Sequence, residues 1–159
     1  MIRLHTLYMP HVRDTPDAMR KRACQALASV EYDTLVGRGL SGALIVPILG
    51  RELDCHWMVL RKPNDSAHSS LTAEGTLGDR WVFVDDLIDS GATLRAAVEH
   101  VTRLAENCRA WNEQWGGTTF VGAYLYENYG DPRFWHADKL KKRWIENAGE
   151  SLDTNPCVP

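Results

Sequence analysis

The chain has 159 residues, 44% of them hydrophobic and 25% charged, which excludes a disordered, collagen-like or low-complexity polypeptide. A chain of this size suits one domain that buries roughly 70% of its unfolded surface. Its 18 basic and 21 acidic side chains leave a formal charge of −3, which argues against a general nucleic-acid binder but allows a small anion held by local positive potential. Cys24, Cys55, Cys108 and Cys157 are dispersed, with no C-x-x-C pair, as expected of reduced thiols in the cytoplasm. No apolar run approaches the ~18 residues of a membrane span, so no membrane partner is expected.

Asp14-Thr15-Pro16-Asp17 opens a helix with an oxygen-bearing cap, an early proline and an acid at the positive dipole end. Met19, Ala23, Ala26, Leu27 and Val30 give it one apolar stripe. A short strand at Leu35-Val36 leads into Gly37-Arg38-Gly39-Leu40-Ser41-Gly42, and Ala43 to Leu53 reads as a buried helix. Pro47 in its middle implies a kink or a late start. Cys55 to Leu60 is a strand ending in Arg61-Lys62-Pro63, followed by a long loop over residues 63–79 of the kind used as a functional lid. Trp81 to Val84 is a second clear strand. Leu94 to Cys108 carries the apolar spacing of an amphipathic helix, and Phe120 to Tyr126 is a further strand. This alternation predicts an α/β fold, a parallel sheet flanked by helices, with ligands at the carboxyl ends of the strands.

The most informative segment is Trp81-Val82-Phe83-Val84-Asp85-Asp86-Leu87-Ile88-Asp89-Ser90-Gly91-Ala92-Thr93-Leu94. A buried strand delivers two adjacent carboxylates to the rim, and a turn of small residues then starts a helix. Backbone N–H groups and the hydroxyls of Ser90 and Thr93 form a phosphate cradle there. Carboxylates beside such a cradle would repel a phosphate ligand unless they face sugar hydroxyls or a cation, and a ribose 5-phosphate meets that condition.

This segment resembles the signature of the type I phosphoribosyltransferases, which bind 5-phosphoribosyl 1-pyrophosphate (PRPP). It is an apolar strand, two acids, two apolar residues, a variable position, then Thr or Ser, Gly, a small residue and Thr. The resemblance covers about residues 33–126 and implies one phosphoribosyltransferase-like domain over 1–159, its small hood drawn from 1–32, from 127–159 or from both. It assigns the ribose hydroxyls and the water shell of a Mg²⁺ ion to Asp85 and Asp86. The 5-phosphate falls to Ser90, Gly91, Ala92, Thr93 and Leu94.

Gly37-x-Gly39-x-x-Gly42 also fits a dinucleotide-binding fingerprint, but the acid expected after the next strand is replaced by Arg61-Lys62. Taken alone, these glycines equally suit a tight strand–helix turn. Under the resemblance, Gly37, Arg38 and Gly39 bind pyrophosphate together with Arg61 and Lys62, and a strained, cis peptide is expected near Val36-Gly37. Residues 63–79 match the family's flexible lid, with His68, Ser69 and Ser70 within reach of ligand.

The implied reaction transfers ribose 5-phosphate from PRPP to a nucleobase nitrogen and releases pyrophosphate, with Asp89, Arg61 and Lys62 as catalytic residues. Asp89 stands where the 6-oxopurine enzymes carry their proposed general base, which brings the chain nearest in its marks to purine phosphoribosyltransferases and favours a 6-oxopurine acceptor. Trp144-Ile145-Glu146 resembles a tripeptide near the base pocket of short bacterial xanthine-guanine enzymes, and Tyr126, Glu127 and Trp144 are the candidate base contacts. Two features depart from that subfamily. No Lys follows the strand ending at Tyr126, and Arg61-Lys62 matches adenine and orotate enzymes instead. A non-catalytic sensor of PRPP or a nucleotide therefore stays open, as does a homodimer; a nicotinamide-dependent dehydrogenase rests on the glycine spacing alone. The basic run Lys139, Lys141, Lys142 and Arg143 reads as a solvated helix face.

Overall fold

A computed structural model describes residues 14–63, 71–111, 117–126 and 133–142. Thr15 caps the first helix, α1 (Pro16–Leu27), its hydroxyl accepting from the Ala18 N–H at 3.3 Å. Strand β1 (Thr34–Arg38) feeds directly into α2 (Gly39–Glu52), and β2 (His56–Leu60) follows. After β3 (Ala73–Gly75) come β4 (Arg80–Asp85), α3 (Ala92–Trp111), β5 (Thr119–Leu125) and β6 (Arg133–His136), and residues 137–142 are helical.

The six strands form one sheet in the order β3-β2-β1-β4-β5-β6. The four inner strands are parallel, as the alternation of strands and helices predicts, while β3 and β6 are antiparallel edges. Both edges are short, three and four residues, and neither has the run of alternating apolar residues that marks a strand in sequence. The loop expected over 63–79 is thus interrupted by β3, whose Glu74 is in register with Val59. His68, Ser69 and Ser70 lie outside the described residues.

Strand alternation divides the core into two layers. Leu35, Val82, Val84 and Tyr124 meet α1 and α2 on one face, packed with Met19, Ala23, Leu27, Ile45, Val46 and Leu49. Val36, Leu60, Trp81, Phe83 and Ala123 meet α3 on the other, through Leu94, Ala97 and Val101. The chain turns opposite ways from β1 (through α2 to β2) and from β4 (through α3 to β5), so strand order reverses between β1 and β4. That is the switch point at which a crevice opens above the carboxyl ends of a doubly wound sheet.

The second helix starts at Gly39, four residues before the expected Ala43, and Pro47 sits inside it. Proline there costs the helix one backbone hydrogen bond. Burial of Ile45, Val46 and Leu49 against the sheet holds the helix through that break. No helix among the described residues is long and apolar enough to cross a membrane.

Candidate functional site

The strand register aligns the site. Arg38 pairs with Leu60 across β1 and β2, and Val36 pairs with Phe83 across β1 and β4. Two residues further along β4, Asp85 reaches the rim beside Arg38, paired on its other side with Leu125. Both α2 and α3 begin at this rim, so two positive helix ends and two sets of unsatisfied N–H groups converge on it. The crevice between them is a cleft of about 330 Å³ lined by Arg38, Ser41, Lys62 and the segment Asp85 to Leu94.

Gly37 and Gly42 explain how the strand can turn so sharply into α2. A Cβ on Gly37 would lie 2.6 Å from the Gly42 Cα, and one on Gly42 would lie 2.6 Å from the Gly37 carbonyl carbon. These two glycines allow helix to pack on strand. Gly39 does something different. It has φ +64°, and a Cβ there would meet the Lys62 Cε at 2.7 Å, because the Lys62 stem lies across it. Every peptide bond among the described residues is trans, including Val36-Gly37, which corrects the expected cis bond; the left-handed backbone falls at Gly39, where glycine accommodates it.

Lys62 and Arg61 part company. Successive residues leaving a strand point to opposite faces. Lys62 lines the cleft, whereas Arg61 forms an ion pair with Glu74 of β3. Arg61 borders a larger hollow of about 760 Å³ between α2 and β2, whose walls include Leu40, Pro47 and Trp57 and which Lys62 and Gly39 also line, between it and the cleft. That hollow contains neither the paired acids nor the start of α3.

On the acidic side, Asp85 is 9% exposed and accepts a 3.0 Å hydrogen bond from the Asp86 N–H. Burial first, then the hydrogen bond and charge of the Asp86 side chain, push its carboxyl up to about 7; the Asp86 backbone N–H and the Lys62 charge oppose them. Asp86 is half-buried and Asp89 exposed. Past them the chain turns through Gly91 at φ +73° into α3. The Ser90 hydroxyl accepts from the Ala92 N–H at 3.3 Å, and the Arg95 guanidinium donates to the Ser90 carbonyl at 3.3 Å, which holds the turn in shape.

The cationic side is incomplete. Arg38 Nη1 is buried without a hydrogen-bond partner among the described residues, so a cationic donor is held in the cleft with nothing to donate to. An anion placed there satisfies it. Two adjacent carboxylates, with no cluster of three metal-ligating side chains among the described residues, do not make a closed protein cage for a metal. They suit Mg²⁺ that arrives with a phosphorylated ligand and keeps much of its water.

The cleft thus gathers Arg38, Lys62, Asp85, Asp86, Asp89, Ser90, Gly91, Ala92, Thr93 and Leu94 from the residues expected by sequence. Gly37 and Gly39 do not line it: Gly37 packs against Gly42, and Gly39 lies beneath the Lys62 stem. Arg61 faces away. The Tyr126 N–H donates to the Asp85 carbonyl at 3.1 Å, but its ring packs in the core layer under α1 and α2. Glu127 and Trp144 lie outside the described residues. Ser41, in the first turn of α2, lines the cleft without having been singled out by the sequence pattern.

No protein-family model matches the sequence, and no curated protein matches it. Solved structures do. Orotate phosphoribosyltransferase from Aeropyrum pernix aligns with a TM-score of 0.50 at 19% identity, over 89% of this chain and 75% of its own. UMP synthase from Leishmania donovani aligns at 0.48 and 20% identity, over 68% of this chain and 21% of its own. Adenine phosphoribosyltransferase from Rhodothermus marinus aligns at 0.47 and 22% identity, over 67% of this chain and 63% of its own. The chain therefore spans less than two thirds of the length of the last two. The first alignment shows that the fold is that of the phosphoribosyltransferases, as the acid-pair segment implies.

Proposed function

We propose that this protein is a phosphoribosyltransferase that moves ribose 5-phosphate from PRPP to a nucleobase nitrogen and releases pyrophosphate. The observation that carries the reading is the division of one cleft into three chemically distinct parts. The start of α3 at Ser90 to Leu94 offers N–H groups and hydroxyls to the 5-phosphate. Asp85 and Asp86, between the two cationic features, accept from the ribose hydroxyls. Arg38, with its unsatisfied Nη1, and Lys62 over Gly39 take the diphosphate.

Breaking the anomeric C–O bond leaves positive charge on the sugar and negative charge on the departing diphosphate. Arg38, Lys62 and the start of α2 stabilise the second, and the acid pair Asp85–Asp86, through the charge it retains, stabilises the first. Asp85 and Asp86 would hold Mg²⁺ arriving with PRPP, and that ion would supply neutralisation of the diphosphate. Asp89, exposed at the mouth, is placed to take a proton from the incoming base, and its carboxylate is the reason a 6-oxopurine remains the favoured acceptor. Arg61 enters catalysis only by leaving Glu74. A single domain with its hood at the chain ends, a cytoplasmic setting and a homodimer complete the proposal.

The test is pyrophosphate release from PRPP and Mg²⁺ with guanine, xanthine, hypoxanthine, adenine, uracil and orotate in turn, run beside calorimetric PRPP binding. Release with one base establishes the activity and names the acceptor. Binding without release with any base turns the protein into a PRPP sensor, and absence of both refutes the reading.

A further inference from the structure

Lys62 stands two residues past the end of β2, so its place in the cleft depends on the direction in which the chain leaves that strand. Thr72 fixes that direction. The Arg61 N–H donates to the Thr72 carbonyl at 2.9 Å, which carries the β2–β3 pairing one step beyond Leu60 and Ala73. Thr72 lies at a bend just ahead of β3, and its hydroxyl shares a 2.8 Å hydrogen bond with His100 Nε2. His100 belongs to α3, the helix whose start, through Ala92 to Leu94, lines the cleft together with Lys62. Ala73 packs in the same apolar layer as Leu94, Ala97 and Val101, so β3 and α3 meet on one face of the sheet. Burial first, then the charges of Arg38 and Arg103, hold the His100 imidazole below its usual range. His100 thus lies within the field of the cleft's buried cation.

We infer that His100 is a positioning residue for the diphosphate side of the cleft: through Thr72 it fixes how the chain leaves β2, and so where Lys62 is held. The inference rests on the reading of that side as a diphosphate site. The path is short. It runs from His100 Nε2 to the Thr72 hydroxyl, from the Thr72 carbonyl to the Arg61 N–H, and one residue on to Lys62, whose stem lies across Gly39. Strand β3 is an edge of three residues paired with β2 alone, so a side-chain tie to the helix layer matters more there than in an inner strand. His100 does not line the cleft and acts through Lys62 rather than on a ligand. In the neutral ring Nε2 either accepts from the hydroxyl or donates to it, and a glutamine amide can do both.

Inorganic pyrophosphate, without Mg²⁺, is titrated calorimetrically at about pH 8, where a histidine with a lowered pKa is neutral. The proteins are wild type, His100→Ala, His100→Gln, Thr72→Val, Thr72→Ser and His100→Ala/Thr72→Val, with Arg38→Gln/Lys62→Gln as the control for the cleft. The expected result is a roughly fivefold loss of affinity in His100→Ala and in Thr72→Val, with no further loss when the two are combined. His100→Gln and Thr72→Ser, which keep the hydrogen bond, should bind nearly as wild type does. Unchanged affinity in His100→Ala and Thr72→Val, with binding still lost in Arg38→Gln/Lys62→Gln, would overturn the inference and leave the diphosphate site standing. Losses that add in the double variant, or that Gln and Ser fail to restore, would also overturn it, because a general loosening of α3 and β3 acts that way. Wild-type protein that binds no pyrophosphate, or Arg38→Gln/Lys62→Gln that binds it equally well, would refute the diphosphate reading itself and the inference with it.

Discussion

The two ends of the sheet use the same residue type in opposite ways. At the amino ends of the strands, the Asp33 carboxylate accepts from the Asp79 N–H at 2.8 Å, the Arg80 N–H at 3.0 Å and the Thr34 hydroxyl at 2.5 Å. Thr34, fully buried, accepts in turn from the Gly78 N–H at 2.9 Å, and the Thr118 hydroxyl donates to the Gly78 carbonyl at 2.7 Å. The clasp ties the entries to β1, β4 and β5 together and is satisfied by the chain itself. At the carboxyl ends, among the described residues, Asp85 accepts from the Asp86 N–H beside an acidic neighbour, and Arg38 has a buried nitrogen with no hydrogen-bond partner. One end is closed by the protein's own hydrogen bonds. The other keeps groups that the chain does not satisfy among the described residues, where the proposed ligand would complete them.

The sharpest way to break this contrast is to remove the acids from the open end. Asp85→Asn with Asp86→Asn should weaken PRPP binding by at least about 100-fold, each lost charge-assisted contact costing roughly 1.5–3 kcal/mol, while the protein still unfolds cooperatively. Near-wild-type affinity by calorimetry in the folded double variant would remove both acids from the ribose site.

Asp85 also makes the contrast dependent on pH. The folded state keeps it protonated up to about 7, whereas the unfolded chain loses that proton near 3.8. Its contribution to folding is therefore complete below pH 3.8 and is lost as the pH rises towards 7. Asp85→Asn should be more stable than wild type at pH 8, by roughly 2–4 kcal/mol, and nearly equal to it at pH 4. Urea unfolding at the two pH values checks this, and parallel pH curves for the two proteins would contradict it.

At the closed end the sign reverses. Asp33→Ala strands three donors and should cost about 2 kcal/mol of stability. PRPP affinity should stay unchanged in the fraction that remains folded. A large loss of affinity would mean that the two ends are coupled through β1.

The smallest expected effect sharpens the role of Gly39. Ala at this left-handed position should cost about 1 kcal/mol and push the Lys62 stem aside. Thermal unfolding reads the first consequence. Pyrophosphate affinity, expected to fall several-fold, reads the second, and an unchanged value would release Lys62 from the diphosphate site.

Much of the open end could be read along the chain, because its signals are contiguous. Within fourteen residues, Trp81 to Leu94 holds the buried strand, the acid pair, the small-residue turn and the helix start, each coded by local periodicity and turn chemistry. Gly37 and Gly39 were legible as a turn, but not as two different devices, one packing against Gly42 and the other lying beneath Lys62. Nor was the parting of Arg61 from Lys62, which needs β3 and its Glu74 in place. The Asp33 clasp left no mark at all, since Asp33, Thr34, Gly78, Asp79, Arg80 and Thr118 come from three separate stretches. Taken by itself, then, the amino-acid sequence determined the α/β alternation and the chemistry of the acid-bearing loop, because periodicity, capping and turn preference act between near neighbours. Tertiary structure alone decided the antiparallel edges, the partner of each cation and the depth at which Asp85 is buried, because each depends on strand register between residues far apart in the chain.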